Sequence, residues 1–474
     1  MKRTNDRSDR RGGRRKFLKT CGLAAAAWTA PAFVPSSVFG ARAPSERIGV
    51  AVIGNGNQAT IDIPAFLQND DVQVVAVCDV NTASGGYKTP QQFLGRKPAQ
   101  EQVNKYYADK TGRGQYQGCA AYRDFREVLA RSDVDAVVIV VPDHWHAVMA
   151  VAAARAGKDI YCEKPLSLTV AEGQAMVQAV RRHGRILQTG SHWRSHPWVR
   201  HACELVRNGR IGKLERILVT LPPNNAVSPG PGWQPMPVPP GFDYDMWLGP
   251  APQAEYHRDR CFYRFRFILD YSGGQVTNFG AHRHDIAQWG HGTELTGPVE
   301  VEDLGGEFPP PGDLFTTALK VAFRCRFADG VELVCRTENP DSPTRFETRF
   351  EGTEGWVQFA RNGVKTQPES LADSQIGPDE IHLPVSNPAR SGKEKRINYL
   401  IPDHVRNFLD AVRSRQDPIE PVEVGHRTAT ICHLGNLAML LKRKIRWDPD
   451  KEQVVGDDQA AAVLARPLRP PWHL

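Results

Sequence analysis

Three polar clusters in this chain hold residue types that could carry out proton chemistry on a hydroxyl group. The densest is Gly280-Ala281-His282-Arg283-His284-Asp285. It runs into a helical pattern, which puts His282 and Asp285 three residues apart on one face. Together they can abstract a hydroxyl proton while hydride leaves the same carbon, since a free alkoxide is otherwise too costly. Taken alone, the spacing equally suits a hydrogen-bonded core histidine beside a helix start. The second cluster is Glu163-Lys164-Pro165. Pro165 restricts Lys164 to extended backbone, and an ammonium fixed there can donate to a substrate oxygen and stabilise developing negative charge. Glu163 reads as a supporting neighbour, not the acid catalyst. The third, His192-Trp193-Arg194, could line a sugar site with the indole on a pyranose face, or form a loop tied by its own polar groups. Asp270 and Tyr271 stand in a turn that could lend either to the same pocket, and His284 is a further substrate candidate. His192, His282, His284 and Asp285 would hold a cation only if they converged. No ligand spacing demands that, so no metal is expected.

Those groups need elements to bring them together. Ile48–Ile53 is a short β-branched run of buried type, followed by Gly54-Asn55-Gly56-Asn57-Gln58-Ala59. Gly54 permits a tight turn, Gly56 lets a pyrophosphate approach the backbone, and Ala59 lets helix and strand pack closely. The helix start offers unpaired N–H groups to phosphates. Asp79, at the end of the next apolar run, is placed to accept from an adenosine ribose, and its charge repels a 2′-phosphate. NAD is expected, with NADP as the lesser option. Expected cofactor contacts are Gly54, Asn55, Gly56, Asn57, Gln58, Asp79, Pro142, Glu163 and Lys164. His144 and His146 either cap the helix they open or line the nicotinamide pocket.

Apolar runs at 135–141, 159–162 and 185–189 alternate with helical patterns at 147–156 and 170–183. The candidate clusters at 142–146, 163–165 and 190–194 follow three successive strands at their carboxyl ends, where open α/β sheets bind ligands. Pro64 should kink the first helix. The 81–118 insertion, with a polar helix near 99–110, either covers the site or decorates the surface. From 214 onward, segments at 214–221, 317–327, 331–337, 344–351 and 355–359 read as antiparallel strands. Helices follow near 405–415 and 424–444. The expected fold is a doubly wound α/β Rossmann domain over 47–190, then an α/β substrate and oligomerisation domain of α+β type over 191–445, whose large open sheet is mainly antiparallel. Residues 446–474 read as an extended tail.

The chain has 60 Lys/Arg and 53 Asp/Glu, a net charge of +7. Residues 1–19 hold nine of the former and two of the latter, leaving 51 of each sign in the remainder. A basic footprint for nucleic acid is therefore absent. The leader itself, Arg14-Arg15-Lys16-Phe17-Leu18-Lys19 followed by a mildly apolar stretch to Phe33, resembles a twin-arginine export signal over 1–43. It implies the export machinery as a partner and a periplasmic or otherwise extracytoplasmic location. No later segment is apolar enough to cross a membrane. Nine cysteines include no C-x-x-C, and buried free thiols are the default reading. A two-residue turn at Asp329-Gly330 would set Cys335 opposite Arg324.

The ordered motifs G-N-G-N-Q-A, P-D-H-W-H, C-E-K-P-L and G-A-H-R-H-D-I-A-Q-W resemble those of Gfo/Idh/MocA oxidoreductases, as do the linking segments at 245–252 and 268–276. The resemblance covers essentially 47–450. It implies a homo-oligomer, a dimer or tetramer, acting on hydroxyls of sugars or polyols with bound NAD(P). By motif, Lys164 matches the family's catalytic lysine and His282 its catalytic histidine. Asp285 matches the acid three residues on. The family often has aspartate four residues before the histidine, where this chain has Asn278. An asparagine oxygen could still orient the imidazole but cannot stabilise its cation by charge. Simple hydride transfer on a carbohydrate hydroxyl is the leading reading. A redox-neutral carbohydrate lyase or glycosidase using transient oxidation, and a non-catalytic sugar-binding protein, stand beside it.

Overall fold

The computed structural model describes residues 46–112, 114–337, 347–360, 363–388 and 400–474. The expected signal segment lies outside them, as do the first residues of the strand expected from 344.

β1 (Ile48–Ile53) is buried along its whole length, as an unbroken apolar strand covered on both faces should be. α1 (Ala59–Leu67) returns to β2 (Val72–Cys78). Pro64 sits on the exposed face of α1, and the helix runs on through it to Leu67. The insertion contributes a small ladder, β3 (Ser84–Gly85) and β4 (Phe93–Leu94), and a helix, α2 (Arg96–Thr111). β5 (Ala120–Tyr122), α3 (Phe125–Leu129), β6 (Ala136–Ile139), α4 (His146–Arg155), β7 (Asp159–Cys162), α5 (Val170–Arg182) and β8 (Leu187–Thr189) follow. The sheet order is β5-β2-β1-β6-β7-β8, with every pair parallel. The strand order reverses between β1 and β6, which opens a crevice at their carboxyl ends.

α6 (Pro197–Arg207) leads into the second sheet through β9 (Leu214–Leu221). Between β9 and the next strand lie α7 (Tyr244–Leu248), the short α8 (Gln275–Asn278) and α9 (Gly280–His291). The remaining strands are β10 (Glu300–Asp303), β11 (Ala322–Arg326), β12 (Glu332–Thr337), β13 (Glu347–Gly352), β14 (Gly355–Ala360) and β15 (Gly363–Gln367). α10 (Leu400–Ser414), α11 (Val422–Leu441), β16 (Ile445–Asp448) and β17 (Gln453–Val454) complete it. The nine-stranded order is β15-β14-β13-β9-β12-β11-β10-β16-β17. Every pair is antiparallel except β9 with β12. Val199 and Leu205 of α6, Ile286 and Trp289 of α9, and Leu434 and Leu437 of α11 form one core with Ile217, Phe323, Leu333 and Phe350 of the sheet.

Three details differ from the sequence reading. The β11–β12 loop holds three residues, because Phe327 and Val331 pair across it and Gly330 takes φ +91°. Cys335 therefore faces Phe323, one position from the expected partner. α10 returns to the first domain: Val405, Phe408 and Leu409 join Val50, Phe66 and Val74 in its core. The boundary at 190 thus divides the sheets but not the helices. The tail is not merely extended. β16 extends the large sheet through β10, while Leu468, Trp472 and Leu474 pack on the first domain. Among the described residues all eight cysteines are free and buried.

Candidate active site

The glycine turn is dictated by a close crossing. A Cβ at Gly54 would lie 2.3 Å from the Val140 carbonyl oxygen, and its φ is +92°, so only glycine lets β1 meet β6 there. The Gly54 N–H donates to the Cys78 carbonyl (2.8 Å), fastening the turn to β2. Among the described residues, the N–H groups of Gly56, Asn57 and Gln58 donate to no protein acceptor. They stand where α1 begins, the place where aligned peptide dipoles favour an anion. Asp79 accepts from the N–H groups of Asn55 (2.6 Å) and Asn81 (2.8 Å), while burial raises its pKa. The Asn55 side-chain amide is buried without a partner. Gln58 donates to Asp62. The insertion closes over this end: Gln92 donates to the Asn57 side chain (2.8 Å), and the Tyr87 ring would stand 3.2 Å from a Cβ at Gly56. Unpaired donors at a helix start with an acid on the next strand fit the pyrophosphate and ribose of NAD.

Gly54, Gly56 and Asp79 share one cleft with Pro142, Glu163, Lys164 and Asn278. Lys164 Nζ donates to the Asn278 carbonyl (3.1 Å) and to its Oδ1 (3.2 Å). The asparagine therefore positions the lysine and not the imidazole. Its Nδ2 is turned toward Gln275 (3.2 Å). Burial lowers the Lys164 pKa, with the Glu163 carboxylate opposing and Arg266 adding to the effect. Burial lifts Glu163 to about 7 against the pull of Lys164. His282 lies one helical turn beyond Asn278, near Lys164 and His192. No described group hydrogen-bonds to either of its ring nitrogens. Burial, then the nearby Lys164 ammonium, drives its pKa well below the ordinary histidine value, so the imidazole is neutral at neutral pH. The His192 ring stands 4.9 Å from it.

Several expected contacts are held elsewhere. Asp285 is fully buried and paired with Arg194 (2.6 Å), with Glu420 3.9 Å from the same guanidinium. Neither Arg194 nor Asp285 reaches the cleft. The ion pair consumes both, and Arg194 also stacks over Trp289. His284 lies in the second core, 3.3 Å from Cys432 Sγ. Trp193 packs against Phe359 and under Arg283. Tyr271 is buried against Trp247 and His144, and Asp270 is exposed. His144 bonds to the Trp247 carbonyl (3.0 Å), and His146 bridges the Pro165 (2.7 Å) and Val141 (3.0 Å) carbonyls. Both histidines stitch strand-end loops together; Pro142, Asp143 and Trp145 from the same motif line the cleft instead. Arg266, Ser272 and Tyr87 also line it and were not anticipated. Tyr87 carried a signal through the insertion and Ser272 through the 268–276 segment, while Arg266 carried none.

Residues 48–191 match the oxidoreductase-family NAD-binding Rossmann fold, and 230–371 with 393–474 match the C-terminal alpha/beta domain of the same family. The chain belongs to the Gfo/Idh/MocA oxidoreductase family. Its cofactor is NAD. Myo-inositol 2-dehydrogenase of Thermotoga maritima is 25% identical over 86% of this chain and 100% of its own length. The uncharacterized oxidoreductase YrbE of Bacillus subtilis is 29% identical over 42% of this chain, which spans about half of it (48%). A levoglucosan dehydrogenase structure in complex with NADH superposes with a TM-score of 0.58 at 18% identity, covering 84% of this chain and 99% of that one. The aldose-aldose oxidoreductase of Caulobacter crescentus complexed with glycerol gives 0.56 at 19%, with coverages of 84% and 99%. At these identities the structural likeness shows the fold.

Proposed function

We propose that this protein is an NAD-dependent oxidoreductase acting on a hydroxyl of a sugar or polyol. The observation that carries the reading is Lys164, fixed on Asn278 inside the same cleft as the glycine turn. NAD, held by the α1 N-terminus and Asp79, supplies the hydride acceptor or donor. The Lys164 ammonium donates to the reacting oxygen and stabilises its negative charge. The neutral His282 imidazole, with no described partner on either ring nitrogen, takes the hydroxyl proton on oxidation and returns it on reduction. Levoglucosan and myo-inositol dehydrogenases among its relatives support a cyclic polyhydroxylated substrate.

One observation favours a second, redox-neutral reading. No carboxylate among the described residues bonds to His282, so its cation is poorly stabilised, which disfavours a reaction that leaves the proton on the imidazole relative to a cycle that returns it. Transient oxidation could then acidify a neighbouring C–H for elimination before the hydride is returned. Export under the twin-arginine leader, part of this proposal, would suit a protein that keeps one cofactor through each cycle. Purified protein mixed with aldoses and inositols decides between them. Steady turnover of added free NAD supports the dehydrogenase and rejects the closed cycle; sugar cleavage without net nicotinamide change does the reverse. Absence of both would remove the enzymatic reading.

A further inference from the structure

Arg266 is a cation of the cleft that neither reading uses. It lines the reaction end beside Lys164, Glu163, Asp143 and Ser272. Its guanidinium carbon lies 4.6 Å from the Tyr263 and Phe265 ring centroids, so two aromatic side chains hold the planar fork. Its backbone oxygen accepts from Gly274 N–H (3.0 Å), which anchors it to the turn before α8. The side chain makes one hydrogen bond, from Nη1 to the Tyr263 carbonyl (3.0 Å). Among the described residues no carboxylate lies within ion-pair distance of it. Asp143, the acid of the same wall, accepts from Ser272 Oγ (2.5 Å). A guanidinium has five donors in a fork that matches a carboxylate. Here four of the five donors have no described acceptor, and the side chain lines a cleft with no protein anion seated on the fork.

We infer that Arg266 seats a carboxylate on the substrate, so that the preferred substrates are acidic sugars of the uronate type and not neutral hexoses. The inference deepens the proposed function and rests on its sugar or polyol site. A phosphate would share the chemistry of the fork. A single guanidinium, with Lys164 committed to the reacting oxygen, provides one planar docking point, which suits a carboxylate better than a phosphate with three oxygens to satisfy. The alternative role for Arg266 is charge balance against Glu163 and Asp143, which would affect every substrate alike.

The test is calorimetric binding to the full chain loaded with NAD. D-glucuronate and D-galacturonate are each compared with the matching hexose and with glucose 6-phosphate, on the wild type, Arg266→Gln and Arg266→Lys. The inference expects at least one uronate to bind about tenfold to a hundredfold more tightly than its hexose, the scale of a charge-assisted pair. R266Q should lose that preference, and R266K, which keeps charge without the fork, should retain part of it. Equal binding of uronate and hexose, a preference that survives in R266Q, stronger binding of the sugar phosphate, or no uronate binding at all would each overturn it. Thermal melting of R266Q separates misfolding from lost recognition; if R266Q melts early, R266K alone decides. Hydride transfer to NAD is followed separately. Its absence with the uronate preference intact would strike the proposed reaction and leave the anion site standing.

Discussion

At the scale of single residues, the same motif splits into two jobs. His282 and Asp285 share a helix face, yet one is unpaired beside a lysine and the other is buried against Arg194. The acid therefore ties the loop after β8 to α9 through Arg194. Removing one member of a buried ion pair leaves the other charge uncompensated. Asp285→Ala should cost about 3–5 kcal/mol of unfolding free energy in a denaturant titration. A loss below about 1 kcal/mol, with activity abolished, would instead return Asp285 to the chemistry. Residue types and spacing in the sequence pointed to Lys164, the glycine turn and Asp79, which the fold gathers along one cleft. They also pointed to Arg194, Asp285, His284 and Tyr271, which the fold engages away from the cleft, because spacing along a helix does not say which polar face meets a cleft and which meets another charged residue. Arg266 carried no motif at all; only the turn linking it to α8 brings it to the site.

Elements supply the positions. Strand and helix existence was legible from apolar runs, and β9 matches its expected bounds. What stayed hidden was long-range return, as in α10 and the C-terminal segment, since amphipathic patterns do not name the partner surface. The β1–α1 turn is the most constrained element. Gly54→Ala would force a methyl into the Val140 carbonyl at a positive φ. It should weaken NAD binding more than tenfold by calorimetry, and unchanged affinity would show that the turn can yield. The β16–β17 turn makes a different prediction. Burial alone would raise the Glu452 pKa, but His426, Gln174 and Arg427 hold it near 2 against an ordinary 4.5. A depressed carboxyl adds stability above its unfolded value, and that contribution disappears as pH falls through the folded one. The difference in denaturation midpoint between wild type and Glu452→Gln should shrink from pH 4.5 to pH 2. A constant difference would mean the carboxylate is not held this way.

For the molecule as a whole, buried neutral histidines form one large group in the acid response. Burial is the leading cause that pushes His144 and His192 to about 3, and His196, His284, His404 and His433 to about 4, with His282 also well down. The ordinary value is 6.5. Below it the unfolded chain binds protons that the folded chain refuses, so stability declines as the solution is acidified. Histidine-ring NMR at pH 5 should show these rings uncharged in the folded protein and charged in the denatured chain. Imidazolium signals from these rings in the folded protein at pH 5 would contradict it.

The arrangement stands or falls on hydride transfer that needs both Lys164 and His282. Rapid mixing of NAD-loaded protein with aldoses, uronates and inositols, while recording the reduced-nicotinamide band, tests it directly. Wild type should reduce its cofactor with at least one of them. Lys164→Met and His282→Gln should still bind NAD but react about a hundredfold to ten-thousandfold more slowly. Wild-type rates in either variant would contradict the account.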